Sequence, residues 1–218
     1  MKVGTDGVLL GAWSSAPLSG RILDVGTGTG LLAIMMAQRS GASIMALEIE
    51  HAAFHQAREN IKRCRWHDRI TLLHQSFQDF RKDHQEKFDL IVSNPPWFKE
   101  TYLSPDSGRN QARHNAVLPY LELLEGSQQL LEPSGMLSLI LPYREAEKFI
   151  FQAEGFGLYC KRRMNIRANP LKAPKRCMLE MGFEPGQKTI ETLTIETGAR
   201  HHFTPAYRHL TKDFYLFF

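Results

Sequence analysis

The sequence predicts an α/β fold: one open, mostly parallel sheet with helices on its faces and an antiparallel edge. Three observations predict it. Short apolar runs of strand length alternate with longer segments of helical spacing along the chain. The first run feeds a glycine-rich turn, Gly26-Thr27-Gly28-Thr29-Gly30, and then a helix, the opening of a nucleotide-binding βαβ unit. A later run, Phe88 to Val92, ends abruptly in Ser93-Asn94-Pro95-Pro96-Trp97. In an open parallel sheet the C-terminal ends of the strands form the ligand-binding rim.

At 218 residues the chain has the length of one full-sized domain, and 1–218 is expected to fold as a single unit. Its 43% hydrophobic content is ordinary for a globular protein. A net charge of +4 and a pI near 9.0 suit a polyanionic partner without identifying one. Cys64, Cys160 and Cys177 are an odd set with no tight spacing, which points to a reducing compartment and no zinc site. No charged-then-apolar leader and no long apolar run are present, so neither secretion nor membrane insertion is expected. The chain opens on Met1 to Trp13 with no polar tail, a glycine-punctuated stretch passing into a short helix. The expectation is that an N-terminal piece is missing.

Arg21 to Val25 reads as the first strand and Leu31 to Gln38 as the helix after the turn. A dinucleotide fingerprint would need a glycine where Leu31 stands. The spacing found is G-x-G-x-G, with Asp24 two residues ahead of Gly26. That form resembles the first motif of S-adenosylmethionine-dependent methyltransferases. The resemblance implies that Gly26, Gly28 and Gly30 bring backbone close to the cofactor and that Asp24 accepts from its ammonium, directly or through water. Ser43 to Leu47 is the second strand, ending at Glu48, about 20 residues after the turn, where an acidic side chain takes both ribose hydroxyls of an adenosine. His51 to Arg63 is a helix; His51 and His55 share a face but have no third ligand, and no metal is expected. Arg69 to His74 is the third strand. Phe77, just beyond it, is expected to stack on an adenine face, and Phe80 to lie in the core.

Phe88 to Val92 is the fourth strand, and the prolines that end it have no N–H to extend a ladder. Pro95 also drives Asn94 towards extended geometry. The loop then carries the Asn94 side-chain oxygen and the Pro95 carbonyl, two acceptors for the hydrogens of an exocyclic amine, and the Trp97 ring to stack on the system bearing it. Here the sequence resembles amino-methyltransferases with an Asn/Asp-Pro-Pro-aromatic motif, which act on adenine N6, guanine N2 or a protein glutamine amide. The polar stretch after Trp97, with Arg109 and Arg113, reads as a flap over the substrate base. Further on come a helix over Leu118 to Leu131, a turn at Pro133-Ser134-Gly135, a strand over Met136 to Leu141, a helix over Arg144 to Ala153 and a strand over Leu158 to Ile166. Arg176 to Phe183 and Lys188 to Glu196 are expected as a closing antiparallel pair. Lys161, Arg162, Arg163, Arg167, Lys172, Lys175 and Arg176 form a basic run with no acidic residue inside it, expected to track a nucleic-acid backbone.

Lys2-Val3-Gly4-Thr5-Asp6-Gly7, Asn94-Pro95-Pro96-Trp97 with Phe98, and the closing Leu210 to Leu216 together resemble the tRNA1(Val) (adenine(37)-N6)-methyltransferase family, across nearly the whole chain. The resemblance implies a Rossmann-like class I methyltransferase domain with a seven-stranded sheet, and S-adenosylmethionine as cofactor. It implies a tRNA partner, a cytoplasmic monomer and direct transfer to adenine N6. Lys2, Thr5, Asp6 and Ser76 join the cofactor contacts by the same resemblance; relatives often carry an acidic residue at the Ser76 position, so the adenine contact here is open. A protein glutamine, ribosomal or DNA target, and a cofactor-binding RNA module without catalysis, are the alternatives.

Overall fold

The computed structural model describes residues 4–95 and 120–216. Among these residues eight strands form one sheet: β1 (Arg21–Val25), β2 (Ser43–Glu48), β3 (Ile70–His74), β4 (Phe88–Ser93), β5 (Leu131–Pro142), β6 (Tyr159–Arg167), β7 (Arg176–Gly182) and β8 (Thr189–Thr194). Their order is β3-β2-β1-β4-β5-β7-β6-β8. The helices are α1 (Thr5–Trp13), α2 (Leu31–Arg39), α3 (His51–Arg63), α4 (Phe77–Asp83), α5 (Tyr120–Leu130), α6 (Ala146–Glu154) and α7 (Pro205–Thr211).

β1 to β5 are all parallel, and the apolar continuity of β1 and β4 reflects burial on both faces. One face is covered by α1, α2, α3 and α7, through Leu9, Leu10, Trp13, Leu32, Met36, Ile61 and Tyr207. The other is covered by α4, α5 and α6, through Phe77, Phe80, Leu123, Leu124 and Phe149. The first loop reversal in strand order falls between β1 and β4, so the ends of these two strands bracket the crevice where such sheets bind ligands.

The closing strands differ from the sequence expectation. Arg176–Gly182 and Thr189–Thr194 do not pair with each other. β7 is inserted between β5 and β6, antiparallel to both, and β8 adds in parallel to β6, an eighth strand where seven were expected. Burial decides the placement: β7 is buried along all but its first residue, whereas the first four residues of β8 are exposed, as an edge requires. The expected turn at Pro133-Ser134-Gly135 is instead an irregularity within β5, where the register against β4 slips between Phe88 and Leu90.

Candidate functional site

The glycine turn leaves β1 with Gly26 at φ 72°, Gly28 at φ 60° and Gly30 at φ 83°. That left-handed path is open to glycine and strained for other residues. A Cβ on Gly26 would meet nothing within 4 Å and would stand in the open cleft, so the turn is a bare floor for a ligand. Thr27 N donates to the Leu47 carbonyl at 2.9 Å, tying the turn to β2. Glu48, at the end of β2, is buried and accepts from two backbone donors, Gly28 N at 2.8 Å and Glu50 N at 2.7 Å. Each carboxylate oxygen keeps acceptor capacity for a further donor.

Asp24 has no exposed surface. Its Oδ2 accepts from the Thr27 hydroxyl and from Ala33 N at the start of α2, while Oδ1 has no partner among the described residues. Burial pushes its pKa up to about 7, against the lowering effect of those two hydrogen bonds, with the nearby Glu48 charge adding to the rise. A buried acceptor left open beside a bare glycine turn fits a ligand that brings a cationic donor.

β4 delivers the other wall. The Ser93 hydroxyl donates to the Val25 carbonyl at 2.9 Å, clamping the ends of β4 and β1 together. Pro95 is buried and Asn94 half-buried beyond it. Gly7 of α1 sits over this end: a Cβ there would lie 3.0 Å from the Leu31 side chain and 4.0 Å from the Asn94 amide nitrogen. The resulting cleft encloses about 410 Å³ out to its open mouth and is lined by Gly26, Ile49, Gln75, Ser76, Gln78, Ser93 and Pro95, with Val25, Leu47 and Phe77 behind them.

The expected site residues thus divide. Asp24, Gly26, Gly28, Gly30, Glu48, Ser76, Asn94 and Pro95 lie along one rim. Phe77 lies against it but is 4% exposed, packed in the core so closely that a Cβ on Gly126 would meet its ring at 2.4 Å. It is a wall and not an open stacking plate, because Ser76 caps a helix here and turns residue 77 inward. The Ser76 hydroxyl is already engaged, accepting from Asp79 N and donating to the Asp79 carboxylate. Sequence reasoning missed Ile49 and Gln78; Ile49 is 46% exposed on the cleft, an apolar surface directly after Glu48, and that adjacency was its only signal. Thr5 is exposed at the start of α1, and Asp6 Oδ2 is ion-paired with Arg176 Nε at 2.7 Å. Lys2, Pro96, Trp97, Arg109 and Arg113 lie outside the described residues.

The basic run is largely consumed by the fold. Arg163 is 5% exposed, ion-paired with Glu147, bonded to Asn165 and stacked over Tyr143. Arg162 points to the opposite face, onto the buried Glu180 at 2.8 Å, Ser15, and the Trp13 ring. Arg167 donates to the Thr194 hydroxyl, and Lys161 to the Glu184 carbonyl. Counter-charges from other elements reach Arg162, Arg163 and Arg176, whereas Lys161 and Arg167 meet neutral acceptors. Lys172 and Lys175, both exposed, make no ion pair among the described residues.

Comparison with known proteins agrees with this geometry. The family model described as methyltransferase small domain matches residues 4–150. A protein of Bacteroides fragilis named tRNA1(Val) (adenine(37)-N6)-methyltransferase is 46% identical over 217 residues, covering 99% of this chain and 91% of that one. A protein of the same name from Trichodesmium erythraeum is 42% identical over 219 residues, with the same coverage. Among solved structures, a predicted O-methyltransferase, Atu636 of Agrobacterium tumefaciens, superposes with a TM-score of 0.74 at 18% identity, over 95% of this chain and 96% of that one. The glycopeptide N-methyltransferase MtfA in complex with S-adenosylmethionine reaches 0.61 at 14% identity, over 82% and 95%. These two likenesses show the fold.

Proposed function

The chain belongs to the tRNA1(Val) (adenine(37)-N6)-methyltransferases of the methyltransferase small-domain family, and from that premise we propose how its own residues carry the reaction. The enzyme transfers a methyl group from S-adenosylmethionine to the exocyclic N6 of an adenine in tRNA. The cofactor supplies an electrophilic sulfonium methyl group when bound.

In this reading Glu48 holds the ribose hydroxyls, using the acceptor capacity left beside its bonds to Gly28 and Glu50. Asp24 meets the ammonium through its open Oδ1. Ile49 offers an apolar face to the adenine ring, and Gln75, Ser76 and Gln78 offer polar edges. Asn94 and Pro95 accept the two hydrogens of the target amine, which localises the nitrogen lone pair and aims it along one line. That contribution is positioning and electrostatic preorganisation. No strong base is needed, since the nitrogen loses its proton readily once it carries the methyl. Trp97 is proposed to stack on the target base, and Pro96, Lys2, Thr5, Arg109 and Arg113 keep the catalytic, cofactor and RNA roles proposed from sequence.

One observation carries the assignment: Ser93 and Pro95 line the same cleft as Gly26 and Ile49, so an amine held at Asn94 lies next to a cofactor held on the glycine turn. The proposal includes a single-domain monomer working in the cytoplasm, where tRNA is modified. No described helix is long and apolar enough to cross a membrane. The test is Asn94→Ala. Losing an aimed acceptor is expected to raise the barrier by roughly 3 kcal/mol, with cofactor affinity nearly unchanged by calorimetry. Turnover within threefold of wild type refutes the assignment.

A further inference from the structure

The connection between β6 and β7, residues 168–175, stands at the C-terminal ends of the parallel strands, on the same rim as Asn94. Its base is located by register. Ser93 at the end of β4 pairs with Leu139, and Arg176 at the start of β7 pairs with Pro142, three residues further along β5. The hairpin therefore rises about 10 Å beyond Ser93 and stands about two strand spacings, another 10 Å, to its side.

It is a braced arm. Lys175 N donates to the Ile166 carbonyl at 2.9 Å, closing the base, and Tyr143 N donates to the Lys175 carbonyl at 3.1 Å, tying it to β5. Near the tip, Leu171 N donates to Asn169 Oδ1 at 3.1 Å and Lys172 N to the Asn169 carbonyl at 3.2 Å. Pro170 and Pro174 fix their own φ angles. The Asp6–Arg176 pair links the foot of the arm to the first turn of α1, the helix whose Gly7 lies over Asn94. On this brace Leu171 is 92% exposed, with the exposed Lys172 and Lys175 following it. A lone exposed leucine is unremarkable; Leu18 is equally exposed at the other end of the sheet, just ahead of β1. What distinguishes Leu171 is its place: an apolar tip followed by two cations, on a braced connection at the rim that carries the target site.

An adenine N6 within a base stack cannot reach a recessed acceptor pair, so the base must leave the stack. Proteins that open stacks insert apolar wedges, leucine among them, while lysines seat on phosphates. We propose that the β6–β7 hairpin is an RNA-reading arm, in which Leu171 enters the base stack beside the target adenine and occupies the place it vacates, with Lys172 and Lys175 on the flanking phosphates. This rests on the reading of the enzyme as a tRNA adenine methyltransferase. Leu171 is a positioning residue: it stabilises the extruded base and touches neither cofactor nor methyl.

The test uses the full-length protein, S-adenosylmethionine and a valine tRNA transcript carrying 2-aminopurine next to the target adenine. Leu171→Ala is expected to lower kcat about tenfold or more, leave KM and cofactor affinity within about threefold, and abolish the fluorescence rise on binding. Leu171→Met retains both signals, and Leu18→Ala behaves as wild type. A short unstructured oligonucleotide containing the adenine is methylated equally by wild type and Leu171→Ala. Unchanged kcat and fluorescence in Leu171→Ala overturn the wedge and leave the enzyme assignment standing, as does a change confined to KM. Absence of methyl transfer to tRNA by wild type overturns both.

Discussion

Replacing Asp24 by Asn tests the most unusual group in the site. The carboxyl is fully buried, and Oδ2 takes donors from Thr27 and Ala33 while Oδ1 takes none. An asparagine can place its oxygen where Oδ2 stands and its NH2 where Oδ1 stands, trading an unpaired acceptor for an unpaired donor. The offset this causes does not vary with pH. The wild-type term does. Its pKa rises from 3.8 to about 7 on folding, so between those values the folded state holds more protons than the unfolded one. Stability then falls as pH rises through the window and levels off above about pH 7. At 1.36 kcal/mol per pH unit, wild type is expected to lose about 2 kcal/mol relative to Asp24→Asn between about pH 5.5 and pH 8.5. Urea denaturation of both proteins across that range measures the difference, with the m-values checked for constancy. A gap that stays constant with pH refutes the reasoning. Cofactor binding gives an independent check. An ammonium meeting Asp24 drives off its proton, so calorimetry near pH 6 in buffers of different ionisation enthalpy should show close to one proton released for wild type and none for Asp24→Asn.

Glu48→Gln removes the charge that grips the ribose and sets an amide donor against a backbone N–H; cofactor affinity is expected to fall by about 2 kcal/mol, read by calorimetry, and unchanged affinity would place the ribose elsewhere. For RNA, the double change Lys172→Gln with Lys175→Gln should flatten the dependence of log affinity on log salt by roughly 1.5 units, whereas Arg163→Gln, a buried partner of Glu147, should lower thermal stability and leave the slope alone. The opposite pattern would return the arm to a solvated surface loop and restore the strand as the phosphate track.

Elements whose signal lies within one segment were legible in the sequence. Arg21–Val25 is found as expected, Phe88–Ser93 differs by one residue, and Glu48 ends β2 as its spacing implies. Failures arose where the deciding information sits on another element. Arg162 and Arg163 have no acidic neighbour in their run, yet Glu180 and Glu147 answer them from β7 and α6. Period-two alternation correctly sends the two arginines to opposite faces but is silent about what waits there. The pairing of β8 is hidden for a similar reason: sequence proximity to β7 suggests a hairpin, while the continuous burial of β7 demands partners on both sides. Phe77 does line the cleft, but as a buried wall: Ser76 begins a helix that turns it inward, and the only local signal of that is Asp79 three residues on, which closes the cap.

The sheet order has a consequence for how the molecule is made. The described residues that line the cleft run from Val25 to Pro95, and the strands that frame it, β3-β2-β1-β4, are the first four in the chain and adjacent in space. The RNA-reading arm depends on β7, which slots between β5 and β6 only after all three exist. On a chain emerging from its N-terminus, the four cofactor-side strands can pair through short crossovers long before the arm is synthesised. The methyl-donor pocket is therefore expected to take shape first, and a bound donor would stabilise that half while the tRNA-facing half is still arriving.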